Sequence, residues 1–434
     1  MVMLHKIQEF IESNKLLELN DKPVIVGLSG GSDSVVLLDI LKNLGYNCIA
    51  AHCNFHLRSD ESNRDELFVR NLAEHKQIKL LTIDFQTIEY AEANNISIEM
   101  AARDLRYDWF EKLRTEFDAQ AIATGHHLDD NFETVLLNFT RGTGIKGMTG
   151  IPVRNGNIVR PLLNTSRADI KQYIEENNLQ FVEDSTNNSI DIIRNKFRHI
   201  IIPALEEINP SFKNTCSQTI QNLKGAYNIF NNEIRRIQDK VCTYQQDTLI
   251  ISIKHLLEEQ EINTVLYEIL KDYDFNSTHI RQITDSLNSE SGKIFSSKTH
   301  TLLKDRENLI VKAISNNSDL EFNNIKLKSE FFKKDSSFVL SRDNNIIHLD
   351  AKKINYPLTI RRWEAADYFY PLGMKGKKKI SDFLIDLKIN RFNKESTLVV
   401  LSENKIVWVV GYRIDDRFKV TENTTDIMEL KIES

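Results

Sequence analysis

The sequence predicts an α/β protein whose N-terminal domain is a doubly wound parallel sheet. Apolar, β-branched runs alternate with segments of helical spacing through the first part of the 434-residue chain, the pattern of parallel strands joined by helical crossovers. The first run, Lys22 to Leu28, stops in a glycine-rich loop that opens a helix. A loop of this kind marks the ligand-binding edge of such a sheet.

Three further strands follow the first one along the chain. They are NCIAAH, KLLTIDF and AQAIATGH, and the intervening helices run through VVLLDILKNLG, from about Asp60 to His75, and from about Ser97 to Phe117. Ligands of open parallel sheets bind at the carboxyl ends of the strands. The segments SGGSDS and GHHLDD both follow strands, so we expect them to face one pocket although they are distant in sequence.

The pattern changes after Asn209-Pro210, where long helices begin. A later segment rich in Asn, Asp, Lys and Ser indicates a linker with some extended structure, and the strands LTIRRW, TLVVLSENKIVWVVG and MELKI follow it. We therefore predict four regions: an N-terminal domain at 1–210, a mainly helical middle domain at 211–315, a linker at 316–354, and a small mixed α/β C-terminal domain at 355–434.

Composition limits the classes of function. The formal net charge of −6 means that nucleic acid would have to be bound through local basic patches. The four cysteines are too few and too scattered for a disulfide framework or paired metal-binding motifs. No apolar run reaches the roughly 18 residues of a membrane span, and the first residues predict an amphipathic helix rather than a signal peptide. We expect a cytoplasmic protein that does not contact membranes.

The loop after the first strand is the strongest single signal. Two glycines allow a sharp turn and close approach to a ligand, and the following helix offers unpaired N–H groups to an anion. The pattern lacks the lysine of a Walker A loop, and the acid within it is a candidate Mg²⁺ ligand. The alternative is a simple helix-capping turn. The loop residues are Ser29, Gly30, Gly31, Ser32, Asp33 and Ser34.

This loop resembles the SGGxDS loop of the PP-loop ATP pyrophosphatases, which cleave ATP between its α and β phosphates and adenylate a carbonyl oxygen. Longer segments are similar to the tRNA lysidine synthases of that superfamily. They are AHCNFHLRSDES, EMAARDLRYDWF, ATGHHLDDNFETVLLNFTRGTGIKGMTGI, FVEDSTNNSIDIIRNKFRHIIIP and LTIRRWEAADYFYPLGMKGKKKISDFLIDLKINRFNKESTLVV. In the first segment His52, Asn54, Leu57 and Arg58 match the family pattern, whereas Phe55 and His56 replace a His-Gly pair.

The resemblance implies roles for individual residues. ATP would be bound by the loop together with His52 and His126, and Mg²⁺ by Asp33 and Asp130. Catalysis would depend on Asp33, Asp130, Arg106 and Arg194, and free lysine would be recognised by Asp130, Glu133 and Arg103. The signature that includes Arg194 also covers Asp184, Asn187, Asn195 and Arg198.

Simpler structural roles remain open for several of these residues. Asp130 and Glu133, like Arg103 and Arg106, are three residues apart and so share one helical face. Acids in a first helical turn also complement the helix dipole, and arginines on a helix commonly form surface ion pairs. His52 could equally be a buried core histidine.

A run of cations lies within the last similar segment. Each phosphate that such a patch neutralises adds salt-sensitive affinity, so we expect it to bind the tRNA backbone, although a lysine run is often an ordinary solvated loop. The candidate tRNA-binding residues are Arg361, Arg362, Lys375, Lys377, Lys378, Lys379 and Arg391.

The reaction implied by the resemblance is the ATP-dependent ligation of lysine to C2 of the wobble cytidine, position 34, of tRNA(Ile) with a CAU anticodon. It would pass through an adenylated cytidine and release AMP and pyrophosphate. Codon reading would change from AUG to AUA, and tRNA identity from methionine to isoleucine. The middle domain is expected to contact tRNA as well, and the sequence leaves open whether the chain forms a homodimer.

Three other functions are considered. A PP-loop thiolase would activate a similar carbonyl, but such enzymes use paired cysteines, and the chain has no CxxC motif. A small-molecule amide synthetase would not need the basic C-terminal domain. A non-catalytic, nucleotide-sensing RNA-binding protein would gain nothing from acids such as Asp33, Asp130 and Glu133 beside the phosphates.

Overall fold

The computed structural model describes residues 2–57, 60–183, 193–314, 326–335, 338–341 and 343–433. The chain forms two compact units, Met1–Phe230 and Asn231–Ser434. The first unit thus extends beyond residue 210, where the sequence pattern changes to long helices. Within the described ranges, no helix is both long enough and apolar enough to cross a membrane.

A six-stranded sheet forms the centre of the first unit and confirms the predicted fold class. Its strand order is β3-β2-β1-β4-β6-β5, and all pairings are parallel except that of β5 with β6. The strands are β1 (Val24–Gly27), β2 (Cys48–Asn54), β3 (Lys79–Asp84), β4 (Ala121–Ala123), β5 (Arg154–Asn155) and β6 (Ile158–Val159).

Helices cover both faces of this sheet because successive strand residues point to opposite sides. In β1, Val24 and Val26 pack with α1, α2 and α8, whereas Ile25 packs with α5. The helices of the unit are α1 (Val2–Ser13), α2 (Ser32–Asn43), α3 (Asp60–His75), α4 (Thr87–Asn94), α5 (Ile98–Glu116), α6 (Leu128–Arg141), α7 (Ile145–Met148), α8 (Arg167–Glu176), α9 (Ile193–Lys196), α10 (Ile202–Ile208) and the start of α11 (Phe212–Val241).

A smaller apolar cluster fixes α6, which carries the predicted acids. Phe132 and Val135 of α6 pack against Ile202 of α10 and Ile220 of α11. A single π-helical turn, Phe197–Ile201, joins α9 to α10. These contacts anchor the GHHLDD end of α6 beside the segment that contains Arg194.

The second unit begins with a region that was predicted as mainly helical. Its helices α12 (Ile253–Leu256), α13 (Ile262–Leu270) and α14 (Ser277–Ser286) accompany a five-stranded antiparallel sheet of order β7-β8-β11-β10-β9. These strands are only four to six residues long, which makes them less prominent in sequence than the helices. They are β7 (Cys242–Gln245), β8 (Thr248–Ser252), β9 (Lys293–Ser296), β10 (His300–Lys304) and β11 (Asn308–Ala313).

The described part of the predicted linker contributes two strands to a sheet. β12 (Lys326–Lys333) and β13 (Ile346–Asp350) flank β20 (Asp426–Glu433) in the order β12-β20-β13. Ile347 and Leu349 of β13 share an apolar cluster with Met428 and Leu430 of β20. Burial against a distant strand therefore gives this segment its extended structure.

The remaining elements form the rest of the small mixed C-terminal region. A four-stranded sheet has the order β14-β17-β18-β19, and β15 pairs with β16. The elements are β14 (Leu358–Arg362), β15 (Tyr368–Phe369), β16 (Lys378–Lys379), α15 (Ile380–Asp386), α16 (Arg391–Ser396), β17 (Leu398–Ser402), β18 (Lys405–Val409) and β19 (Arg413–Ile414).

Candidate active site

The glycine loop between β1 and α2 is held open by its own serines. The Ser34 hydroxyl donates to the Gly31 carbonyl at 2.9 Å, and the Ser29 amide donates to the Ser34 hydroxyl at 3.2 Å. Gly30 has φ +93°, and a Cβ there would lie 3.3 Å from Val69, so glycine is required for this turn. Because the first amides of α2 have no helical partner, the loop presents donors to an anion.

A cavity of about 360 Å³ opens at the carboxyl ends of β1, β2 and β4. The loop residues Ser29 and Asp33 line one side, and His126 and Asp130 line the other. Ala51, Cys53, Phe55, Tyr107 and Phe110 form a largely apolar wall. The structure thus brings the two predicted segments to one pocket.

Two carboxylates in this cavity flank a buried imidazole. The Nε2 atom of His127 lies 3.7 Å from Asp33 Oδ2 and 3.7 Å from Asp130 Oδ2. The His127 side chain is only 1% exposed, and its Nδ1 has no hydrogen-bond partner. The backbone amide of His127 donates to Asp130 Oδ2 at 3.0 Å. His127 therefore holds the two acids close together.

The surroundings shift the pKa values of these two carboxyl groups in opposite directions. Burial, and secondarily the charge of Asp130, raise the pKa of Asp33 above its ordinary value. Burial by itself would raise the pKa of Asp130. His127, Arg194 and the backbone amide of His127 outweigh that effect, so the pKa is lowered. Asp130 is the carboxylate that the protein stabilises in its charged form.

Glu133 is enclosed by two arginines. Its side chain is 1% exposed, and its Oε2 accepts a hydrogen bond from Arg194 Nε at 2.8 Å. Arg198 donates through Nε to Oε1 at 2.6 Å and through Nη2 to Oε2 at 3.1 Å. Arg194 and Arg198 also lie 3.6 and 3.5 Å from Asp130 Oδ1. The predicted lysine-binding acids are thus engaged with arginines in this state.

The two other predicted arginines of this site stack on aromatic rings. Arg106 stacks on Phe55 with its guanidinium carbon 5.1 Å from the ring centroid, and Arg103 stacks on Tyr107 at 5.0 Å. Burial lowers the pKa of His126 to about 4, so its imidazole is neutral near pH 7. Arg106 and His126 line the cavity, and Arg103 is near enough to act on the charge of His126.

His52 lies beneath the loop. Its buried ring makes a 2.9 Å hydrogen bond through Nδ1 to the carbonyl of Leu28, and burial lowers its pKa. It is not among the side chains that line the cavity. His56, at the position that departs from the family pattern, is exposed and pairs with Asp84 at 2.7 Å. Arg58, Asp184 and Asn187 lie outside the described residues.

Several buried residues near the site were not recognised from sequence. His127 was not predicted, because sequence alone does not show which of two adjacent histidines is buried. Asp129, next to Asp130, accepts from the Arg167 amide at 2.8 Å and pairs with Lys213 at 3.1 Å. Arg160 follows β6 and is 3% exposed. For Arg160, the only indication in the sequence is that a charged residue lies directly before Pro161 at the end of a strand.

The donor set fits Mg²⁺ better than a metal with many protein ligands. In the described ranges, no three His, Cys, Asp or Glu side chains converge as a metal site. Mg²⁺ typically takes one or two carboxylates and completes its shell with phosphate oxygens and water. Asp33 and Asp130, beside a loop suited to phosphates, match that requirement.

The cations of the second unit differ in their pairing. Arg361 forms two hydrogen bonds to Asp367 at 2.7 and 2.8 Å, Arg391 pairs with Glu395, and Lys378 pairs with Asp386. Lys377 lies over the Tyr368 ring at 4.3 Å. Lys375, Lys377 and Lys379 are exposed, and among the described residues they form no ion pair. Arg361, Arg391 and Lys378 are therefore engaged within the protein, and Arg362 is not free of interactions either.

Family models match three parts of the chain. A PP-loop domain matches residues 2–205, a TilS substrate binding domain matches 244–314, and a TilS substrate C-terminal domain matches 358–431.

Full-length relatives are also similar. The tRNA(Ile)-lysidine synthase of Parabacteroides distasonis is 44% identical over 98% of this chain and 99% of its own length. The enzyme of the same name from Bacteroides thetaiotaomicron is 43% identical over 98% and 99%. That from Clostridium tetani is 31% identical over 99% and 98%.

Solved structures give weaker likenesses. The U34-tRNA thiolase NcsA of Methanococcus maripaludis has a TM-score of 0.42 at 19% identity, covering 51% of this chain and 78% of that one. A TilS C-terminal domain has a TM-score of 0.23 at 21% identity, covering 26% and 85%.

Gly125 offers a test of the loop geometry. A Cβ at this position would lie 3.1 Å from the Asp33 backbone and 3.2 Å from the Ser34 amide. We expect Gly125→Ala to displace the loop by a few tenths of an ångström and to weaken ATP binding about tenfold, since small misplacements are costly at such sites. Gly225→Ala, where a Cβ meets open space, is the control. Calorimetric titration measures the ATP affinity of both variants. Equal affinities of Gly125→Ala and Gly225→Ala would contradict this account of the loop.

Proposed function

The chain belongs to the tRNA(Ile)-lysidine synthase family, and on that premise we propose that it ligates free lysine to C2 of the wobble cytidine, position 34, of tRNA(Ile) with a CAU anticodon. Members of this family are ATP-using ligases that form lysidine in tRNA. The observation that carries the finer proposal is the convergence of Asp33 and Asp130 beside the phosphate loop. A nucleotide-binding module without chemistry would not need two acids there.

The first step is adenylation of the cytosine. The C2 oxygen attacks the α-phosphorus of ATP, and pyrophosphate departs toward the amides of the loop and the first turn of α2. Asp33 and Asp130 would hold Mg²⁺, which supplies positive charge against the charge that develops on the departing phosphates. The apolar wall that includes Ala51 and Phe55 is suited to the adenine ring.

Lysine must then be bound beside the adenylated base. Its two amino groups need anions and its carboxylate needs a cation. The cluster around Glu133 contains both carboxylates and arginines. Glu133 is satisfied by Arg194 and Arg198. In the proposed sequence a phosphate of the nucleotide draws Arg194 away, and Glu133 becomes available to an ammonium group of lysine. Nucleotide binding would thereby favour lysine binding.

The second step is attack of the lysine ε-amine on C2 with expulsion of AMP. The amine has to lose a proton before it reacts. In the tautomer of neutral His126 whose Nδ1–H donates to the Thr124 hydroxyl at 3.1 Å, Nε2 is the acceptor that would take this proton. Cys53 lines the same cavity, but burial raises the pKa of its thiol to about 12. That thiol is therefore a poor nucleophile, which argues against a thiolase reaction.

The product changes the decoding properties of the tRNA. Lysidine pairs with adenine rather than guanine, so the modified anticodon reads AUA instead of AUG. The tRNA then accepts isoleucine instead of methionine. The middle region and the C-terminal region are proposed to hold the rest of the tRNA.

The direct test measures lysine transfer. The full chain is incubated with ATP, Mg²⁺, radiolabelled lysine and an unmodified isoleucine tRNA transcript with a CAU anticodon, and label in RNA and AMP are both measured. A transcript with U at the wobble position is the control. We expect label only in the C-bearing RNA, with equal amounts of AMP. AMP without label would reject lysine as the nucleophile, and neither product from folded protein would reject the proposal.

Asp130 and its neighbour Asp129 provide a matched pair of variants. Asp130→Asn removes a carboxylate of the cavity, and we expect AMP formation to fall about 100-fold or more, as when a transition-state charge partner is lost. Asp129→Asn changes an acid that pairs with Lys213 and accepts from the Arg167 amide. Asp129 also lies 3.9 Å from His127 Nδ1 but does not line the cavity, so most activity should remain. An equal loss in both variants, with normal unfolding temperatures, would assign Asp130 a structural role.

Three exposed lysines of the second unit are the proposed contacts to the tRNA backbone. Changing Lys375, Lys377 and Lys379 together to Gln removes three cations that form no ion pair with the described residues. We expect weaker tRNA binding and a slope of log affinity against log salt that is smaller by roughly two to three. Filter binding at several salt concentrations measures both quantities.

The matched control for this prediction changes three other exposed lysines of the same unit, Lys293, Lys298 and Lys405, to Gln. The two triple variants alter net charge equally. If they weaken tRNA binding to the same extent, the loss comes from the change in net charge alone, and the lysine run is an ordinary solvated loop.

A further inference from the structure

Two stretches of the first unit contain no acidic residue. Residues 134–168 include five cations and no Asp or Glu, and residues 208–230 include two lysines and no Asp or Glu. The chain as a whole has 62 acids in 434 residues, so about five acids would be expected in the longer stretch alone at that average frequency. These stretches are local exceptions in an acidic protein.

The two acid-free stretches meet at a second cavity. It has a volume of about 230 Å³ and is lined by Thr149, Pro152, Val153, Lys224, Tyr227 and Asn228. We call it the Lys224 cavity. Its lining combines an ammonium group with the hydroxyl and amide donors of Tyr227 and Asn228. This chemistry suits an anion with several acceptor oxygens.

One wall of the Lys224 cavity is tied to α6. The side chain of Asn131 accepts from the Ile151 amide at 2.6 Å, and Asn138 donates to the Gly147 carbonyl at 2.9 Å. Behind this wall Arg160 donates to the Pro152 carbonyl at 2.7 Å. The wall is therefore held in place, and a permanent positive charge lies behind it.

Lys224 forms no ion pair with any carboxylate of the described ranges, and burial lowers its pKa. Arg160, only 3% exposed, likewise has no carboxylate partner there, and its Nε makes no hydrogen bond. Partly buried cations are normally paired because burying an isolated charge is costly. Lys224 lines this cavity, whereas Arg160 contacts Tyr107 of the active-site cavity and adds its charge from behind the wall. A partly buried lysine in this position indicates an anion supplied from outside.

We propose that the Lys224 cavity binds a backbone phosphate of the anticodon arm of the tRNA substrate. This inference rests on the proposed function, since it assumes that the wobble base enters the cavity beside Asp130. Helix α6 carries both Asp130 and Asn138, and at about 1.5 Å per residue they are separated by roughly 12 Å. That distance is within reach of phosphates a few nucleotides from a base bound beside Asp130.

The test uses the full chain and a fluorescent hairpin RNA with the sequence of the anticodon arm and a CAU loop, without ATP. Binding is measured by fluorescence anisotropy at several salt concentrations. We expect Lys224→Gln to weaken hairpin binding severalfold and to lower the salt slope by about one, the value for one phosphate contact. Lys224→Arg should restore both, because it keeps the charge.

Lys171→Gln is the matched control, since Lys171 is an exposed lysine of α8 that makes no ion pair with the described residues. Equal affinity and slope for Lys224→Gln and Lys171→Gln would overturn the inference. The same result with normal lysine transfer by the wild-type chain would leave the proposed function intact. Hairpin binding that depends on Lys224, with no lysine transfer, would instead reject the function and retain the RNA site.

Discussion

Two carboxylates drawn to one buried imidazole impose the main electrostatic constraint on this protein. Asp33 comes from the loop after β1, and Asp130 from the first turn of α6, yet both lie 3.7 Å from His127 Nε2. Like charges this close repel, and burial adds a desolvation penalty. The site tolerates them because His127 and nearby guanidinium groups stabilise the charged form of Asp130. A divalent cation with nucleotide phosphates would complete that balance.

The same constraint explains the enclosure of Glu133. A buried carboxylate without a partner would be strongly destabilising, and breaking such a pair typically costs about 3–5 kcal/mol. Arg194 and Arg198 satisfy Glu133 completely, so any ligand that takes one of these arginines must bring a replacement charge. An anionic nucleotide and a cationic amino acid, acting together, leave the total pairing unchanged. The arrangement therefore suits an enzyme that binds both.

Local sequence was sufficient to predict the strand, loop and first helix of the site, because β-branched periodicity and paired glycines specify them without distant contacts. It was insufficient to predict the roles of His127 and Arg160, because their burial depends on how α6 and β6 pack against other elements. The same limit applies to β12 and β13. Their sequences alone give little sign of a sheet, because each pairs with β20, which lies far along the chain. Tertiary pairing, rather than propensity, decides such segments.

An acidic protein that binds RNA must separate its free cations from its paired ones. In the second unit Arg361 and Arg391 neutralise neighbouring acids, whereas lysines such as Lys375 form no ion pair with the described residues and are the proposed partners of tRNA phosphates. In the first unit no acid occurs in residues 134–168 or 208–230, although Lys213 of the second stretch pairs with Asp129 and Glu206 from outside it. A few unpaired cations at fixed positions give less total attraction than a uniformly basic surface. They do, however, favour RNA whose phosphates match their spacing, so the position of each charge contributes more to selectivity than the net charge.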